Sequence, residues 1–124
     1  MYLPSHFAEE DPSTLHALVR AHPLGTWVTL GDTGLEANHV PFMIDTTPGP
    51  APLGTLRAHV ARANPVWRSI AAGGAASSLV IFQGADAYIT PSWYPSKHAD
   101  GKAVPTWNYA VVHVRGTPRA IEDK

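Results

Sequence analysis

The pattern of apolar and polar positions is that of short strands, with period-two alternation clearest over 56–61, and two short stretches have helical period. The lead-in over 1–10 is held extended by Pro4, with His6 and Phe7 as the residues able to anchor it. Asp11 followed by Pro12 reads as an N-cap and a first helical position. Leu15, Leu18 and Val19 then recur at i, i+3 and i+4, which predicts an amphipathic helix stopped by Pro23. Gly25 opens a strand over 26–30, Gly31-Asp32-Thr33-Gly34 turns a hairpin, and the return strand covers 35–44. Pro41 within that return strand implies an edge or a bulge. The proline-rich stretch 45–52 is a loop.

Over 53–61, Leu56, Ala58 and Val60 alternate with Arg57, His59 and Ala61, the pattern of a half-buried strand with Arg57 and His59 on one face. Asn64 caps a second helix that begins at Pro65, carries Val66, Trp67 and Ile70 on its apolar side and ends at Gly73-Gly74. The most apolar segment, 77–82, predicts a central strand. Gly84-Ala85-Asp86 turns the chain into 87–90, 97–102 is a solvated loop, 108–114 is a strand, and Gly116-Thr117-Pro118 leads into a last short strand over 119–121.

Six or more strands with two short helices and no β-α-β rhythm predict a mainly β fold, an antiparallel barrel with helical decoration. No internal repeat or domain boundary is visible, so 1–124 reads as one domain. The chain stops at Glu122-Asp123-Lys124 without a closing element, which suggests a fold whose carboxy-terminal part is missing.

Composition narrows the function. The 124 residues are 44% hydrophobic and 15% charged, enough for a core, with a charge low enough to leave room for a subunit interface. Net charge is −1, and no basic block supports direct contact with nucleic acid. The absence of cysteine excludes disulfides, thiolate catalysis and cysteine-type zinc sites. With no signal-peptide pattern and no apolar run of membrane-spanning length, a cytoplasmic protein is the default. Phosphate loops of the Walker or dinucleotide type and the Gly-x-Ser-x-Gly elbow are absent. The seven histidines include no close pairing of metal-ligand type, although His39, His59 and His113 remain free to converge in space.

Two stretches carry candidate chemistry. Between 82 and 109, Tyr88, Trp93, Tyr94, Trp107 and Tyr109 are interleaved with Ser92, Ser96, Lys97, Thr106 and Asn108. Rings with a polar tip beside small hydrogen-bonding groups suit a pocket for a flat, polar-edged ligand. An edge hairpin whose prolines (Pro91, Pro95, Pro105) block further pairing accounts for the same residues. The second stretch is Arg57, His59, Arg62 and Asn64, cationic groups beside a helix start. They suit a phosphate or carboxylate, and equally a salt-bridged loop with an ordinary cap.

Several motifs resemble one known family. Met1-Tyr-Leu-Pro-Ser-His-Phe7, Asn38-His-Val-Pro-Phe42, Leu56-Arg-Ala-His-Val-Ala-Arg-Ala-Asn-Pro-Val-Trp67, Phe82-Gln-Gly-Ala-Asp-Ala-Tyr-Ile-Thr-Pro-Ser-Trp-Tyr-Pro-Ser-Lys97 and Val104-Pro-Thr-Trp-Asn-Tyr109 are similar to the PaiB family of FMN-binding negative transcriptional regulators. The resemblance runs in order from the first residue to about Gly116. It implies an FMN-binding split β-barrel, a homodimer with flavin at the subunit interface, and repression of genes for protease synthesis and sporulation. It also implies a family length greater than that of this chain.

Under that resemblance FMN is the cofactor. Arg57, His59, Arg62 and Asn64 suit its phosphate, with Lys97 as a further cation. Trp93, Tyr94, Trp107 and Tyr109 suit the ring faces. Asn38, Thr106 and Asn108 suit the ring edge or the ribityl chain, and His39 joins the cofactor contacts from the Asn38–Phe42 motif. No catalytic residue and no metal ligand is implied. Direct DNA contact does not follow from these residues, which leaves room for an indirect regulatory effect. Two other functions compete: a small flavin-dependent oxidoreductase, marked by NAD(P)H-driven flavin reduction, and a binder of haem or another planar ligand through His39, His59 or His113, marked by a Soret band.

Overall fold

A computed structural model describes residues 1–73 and 77–122. Gly74, expected at the end of the second helix, and Asp123 and Lys124, expected as an open end, lie outside the described residues. The lead-in forms one 3-10 turn, Ser5–Phe7, and Phe7 is exposed rather than anchored. Helix α1 (Pro12–Ala21) starts where the sequence expects it. Asp11 accepts the Ser13 N–H at 3.1 Å, the Ser13 hydroxyl at 2.6 Å and the Thr14 hydroxyl at 3.1 Å. Val19 is buried, and Leu15 and Leu18 pack beside it.

The Ser13 hydroxyl, then the Ser13 N–H and the Thr14 hydroxyl, hold the Asp11 carboxyl below its usual value. A depressed carboxyl contributes stability above its unfolded value, near pH 4, and loses it as pH falls through the folded value. Asp11→Asn keeps a capping oxygen but does not titrate. Acid unfolding of this variant should therefore fall less steeply below about pH 4 than that of the parent. Identical acid profiles would remove Asp11 from the acid response.

Strands β1 (Leu24–Gly31), β2 (Gly34–Asp45), β3 (Thr55–Ala58), β4 (Ser78–Ile89) and β5 (Thr106–Gly116) form one antiparallel sheet in the order β3-β2-β1-β4-β5. Pro41 sits opposite Leu24, and the next N–H, that of Phe42, donates to the Pro23 carbonyl at 2.9 Å. The nitrogen of Pro41 therefore faces away from β1, where β3 has ended and no donor is required. Leu56 of β3 and Val114 of β5 line one cavity of about 440 Å³. The sheet curls until its two edge strands flank a gap, which is a split-barrel arrangement with three short α-helices.

The core sits inside that curl. Trp27 meets Phe42 edge-on at 6.2 Å, Phe42 meets Phe82 edge-on at 5.8 Å, and Val40, Val80 and Val112 fill around them. Gly25 permits this packing, because a Cβ there would stand 2.7 Å from Val80 Cγ1 and 3.0 Å from both Phe42 and Phe82. Gly25→Ala should cost about 1–3 kcal/mol through overpacking. A urea midpoint equal to that of the parent would show that the three side chains yield freely.

Four expectations are corrected. Residues 84–86 do not turn the chain. β4 runs straight through as one strand with a bulge, since Gln83 pairs with Val111 and Asp86 with Tyr109, leaving one extra residue in β4. The third strand covers only Thr55–Ala58, because its partner stretch on β2 is Phe42–Asp45, and His59 lies beyond its end. Residues expected as a solvated loop form α3 (Pro95–Asp100), started by Pro95 and ended by Gly101 at φ +72°. Residues 119–121 form no strand, so the sheet has five strands among the described residues rather than six. Helix α2 (Val66–Ala71) starts one residue later than expected, with Pro65 in the cap position, and the Asn64 side chain accepts the Val66 N–H at 3.0 Å.

Candidate functional site

Strand alternation divides the sheet into two faces. Trp27, Val40, Phe42, Val80, Phe82 and Val112 point inward. The outer face carries Thr26 and His39 at the centre, and Ile81, Gln83, Val111 and His113 on β4 and β5. Beyond the bulge, Asp86 and Tyr88 join it opposite Tyr109 and Trp107. Tyr88 and Trp107 lie with ring centroids 5.9 Å apart. Trp107 is 56% and Tyr109 61% exposed, so both rings stand open to a ligand or a partner. A shallow groove of about 430 Å³ runs here, lined by Met1, Gln83, Trp107, Tyr109, Val111 and His113.

The four consecutive residues Thr106, Trp107, Asn108 and Tyr109 do not act together. Trp107 and Tyr109 share the outer face, while Thr106 and Asn108 point from the other side of β5. The Thr106 hydroxyl reaches the Val104 carbonyl at 3.4 Å. Trp93 belongs to a 3-10 turn, Pro91–Trp93, and is largely exposed, with Tyr94 next to it at the start of α3 and exposed Lys97 within that helix.

The cationic residues lie elsewhere, around β3 and α2. Arg57 pairs with Asp45 at 2.8 Å. The Thr47 hydroxyl and N–H, and then Arg57, hold the Asp45 carboxyl below its usual value. The guanidinium groups of Arg62 and Arg68 lie 5.3 and 5.1 Å from the Trp67 ring centroid, and the Trp67 indole N–H donates to the Arg62 carbonyl at 3.0 Å. Arg62 also approaches Glu122 at 3.9 Å. The Asn64 amide donates to the Asn38 side-chain oxygen at 2.8 Å, tying α2 to β2. His59 is exposed, and His39 Nδ1 lies 3.2 Å from the Thr26 hydroxyl on the outer face.

The fold thus joins Asn38 to Asn64 but gives Arg57 a separate partner. The ion pairs of Arg57 and Arg62 are surface contacts screened by solvent, so both side chains are free to re-pair. Three strands, β2, β1 and β4, separate β3 from β5 in the sheet order.

Gln83 was not among the expected site residues, and His113 was considered only as a metal or haem ligand and not as a flavin contact. Counting by two from Trp107 along β5 reaches Tyr109, Val111 and His113, and this signal was present in the sequence. His113 Nδ1 is buried without a hydrogen-bond partner among the described residues. Burial, then the Met1 amino group and Arg115, push the imidazole below its usual value, so the neutral ring is favoured. Among the described residues no three His, Asp or Glu side chains group to hold a metal, and no helix is long and apolar enough to cross a membrane.

Residues 1–124 match the family model described as "Putative FMN-binding domain". The chain belongs to this FMN-binding domain family. Its relatives include an uncharacterised protein of Saccharomyces cerevisiae, 37% identical over 99% of this chain and 80% of its own length. An uncharacterised protein of Emericella nidulans is 35% identical over 99% of this chain and 58% of its own. The "Protease synthase and sporulation protein PAI 2" of Bacillus subtilis is 33% identical over 98% of this chain and 54% of its own, in keeping with the motif resemblance. The chain therefore spans little more than half the length of the last two relatives. The residues present fit the group that the FMN-binding domain family implies. Open aromatic faces, an orphaned imidazole nitrogen and re-pairable guanidinium groups suit a planar, anionic cofactor.

Proposed function

We propose that residues 1–124 form an FMN-binding unit of a PaiB-type regulatory protein, a cytoplasmic homodimer that influences transcription indirectly. The observation that carries this reading is the open aromatic groove on the outer face, where Trp107 and Tyr109 present ring faces beside polar groups. FMN bound there supplies a redox-active ring. The chain's own residues stack on it, hold its edge and neutralise its phosphate.

No residue of β3 or α2 lines the aromatic groove, which supports a dimer, since a second copy can set one chain's cations against the other's rings. The half-buried Ile81 and Val111 on the same face suit such an interface. A net charge of −1 speaks against direct DNA contact. The test is a visible absorption spectrum after incubation with FMN and desalting, with the mass measured in solution. Flavin bands that survive on a species of dimer mass are expected. A colourless protein would overturn the reading, and rapid bleaching by NAD(P)H would replace the regulator with an oxidoreductase.

A further inference from the structure

We propose that Gln83 and His113 hold the pyrimidine edge of the flavin ring at one end of the outer-face groove. The inference rests on the FMN reading above and adds to it the orientation of the ring. Five of the six groove-lining residues come from two paired strands, so their relative positions are fixed by register. Along the outer face of β5 the order is Trp107, Tyr109, Val111, His113, and Gln83 stands opposite Val111. At a rise of about 3.3 Å per residue, a three-ring system stacked on Tyr109 and pointing along the strand brings its leading edge towards Gln83 and His113.

The chemistry at that end matches a pyrimidinedione, whose edge reads acceptor, donor, acceptor through C4=O, N3–H and C2=O. The Gln83 amide nitrogen donates to Asp86 Oδ2 at 2.8 Å, which sets the amide's orientation. Its carbonyl and second N–H have no other hydrogen bond among the described residues, and they complement N3–H and a neighbouring carbonyl. His113 Nδ1 is shielded and unpartnered, a standing cost that a ligand group relieves. The Met1 amino group and Arg115 are the charged groups acting on this imidazole, both cationic, and they favour its neutral form with one donor and one acceptor. Met1 is the one lining residue not held by the sheet.

The experiment measures the affinities of FMN and riboflavin, and the flavin absorption maximum, for the parent, Gln83→Leu, His113→Leu and the double variant Arg57→Ala/Arg62→Ala. Gln83→Leu and His113→Leu should each weaken FMN and riboflavin by the same factor, about tenfold, and shift the flavin band. The arginine variant should weaken FMN alone. His113→Gln, which keeps a donor, should recover most of the loss and guards against a leucine variant that fails to fold. Unchanged flavin affinity and band position in both leucine variants, with FMN still weakened by the arginine variant, would overturn this inference and leave the FMN reading intact. A parent chain that binds neither flavin overturns both.

Discussion

Phe82→Ala should lose about 3–5 kcal/mol of stability, a large share of the roughly 5–15 kcal/mol that a domain possesses. Phe82 is fully buried and meets Phe42 edge-on, while Phe42 meets Trp27, so the three rings form one continuous contact across β1, β2 and β4. Truncation removes the transfer energy of the ring and leaves a cavity. Gly25 has no side chain to move into it, and Phe42 is held from its other side by Trp27. Phe82→Leu keeps more of the volume and should lose roughly half as much. Urea unfolding followed by tryptophan fluorescence measures both. An alanine variant within about 1 kcal/mol of the parent would mean that the curl closes over the gap, and that this contact is not what holds the sheet in shape.

Arg57→Ala together with Arg62→Ala should weaken FMN binding by about a hundredfold or more while leaving riboflavin binding unchanged. A hydrogen bond to a charged group contributes about 1.5–3 kcal/mol, and two such bonds to one phosphate correspond to at least about two powers of ten. Asp45 refines the expectation. It pairs with Arg57 in the free protein, so Asp45→Asn should leave FMN binding unchanged or tighten it, because the guanidinium no longer exchanges partners. Both arginine side chains are about two-thirds exposed, and their loss should move the melting temperature little. Equal FMN affinity in the parent and the double variant would take the phosphate away from this region.

Much of the fold was legible because its signals are local. Asp11-Pro12 followed by Leu15, Leu18 and Val19 describes α1 almost to the residue, and Asn64 before Pro65 describes the start of α2 to within one residue. Pro41 placed an edge correctly, because a missing donor is visible in any sequence. What stayed hidden depends on partners. The length of β3 is set by the four residues of β2 that face it, and residues 119–121 read as a strand but form none. Helix α3 has no apolar stripe to betray it. Only Pro95 and Gly101 mark its ends.

The site was legible as two neighbourhoods but not as surfaces. Trp107 and Asn108 are adjacent in sequence and opposed in space, whereas Tyr109 and His113 are four apart and share a groove. Reading Gly84-Ala85-Asp86 as a turn cut β4 in two, and it hid the continuity that places Gln83 and Tyr88 on one face.

The extra residue in β4 gives the chain one spare link. Phe82 and Tyr88 are both even-numbered yet face opposite ways, because the surplus is taken up between them. Removing Ala85 would straighten the strand without turning any side chain over, and the loss would be felt only as reduced bend. Gly84 is not the spare one, since Leu18 of α1 rests where its Cβ would stand, 3.3 Å away. A deletion elsewhere in β4 can be absorbed by drawing on that slack once. An insertion finds none, and it would have to turn either the core or the aromatic face inside out.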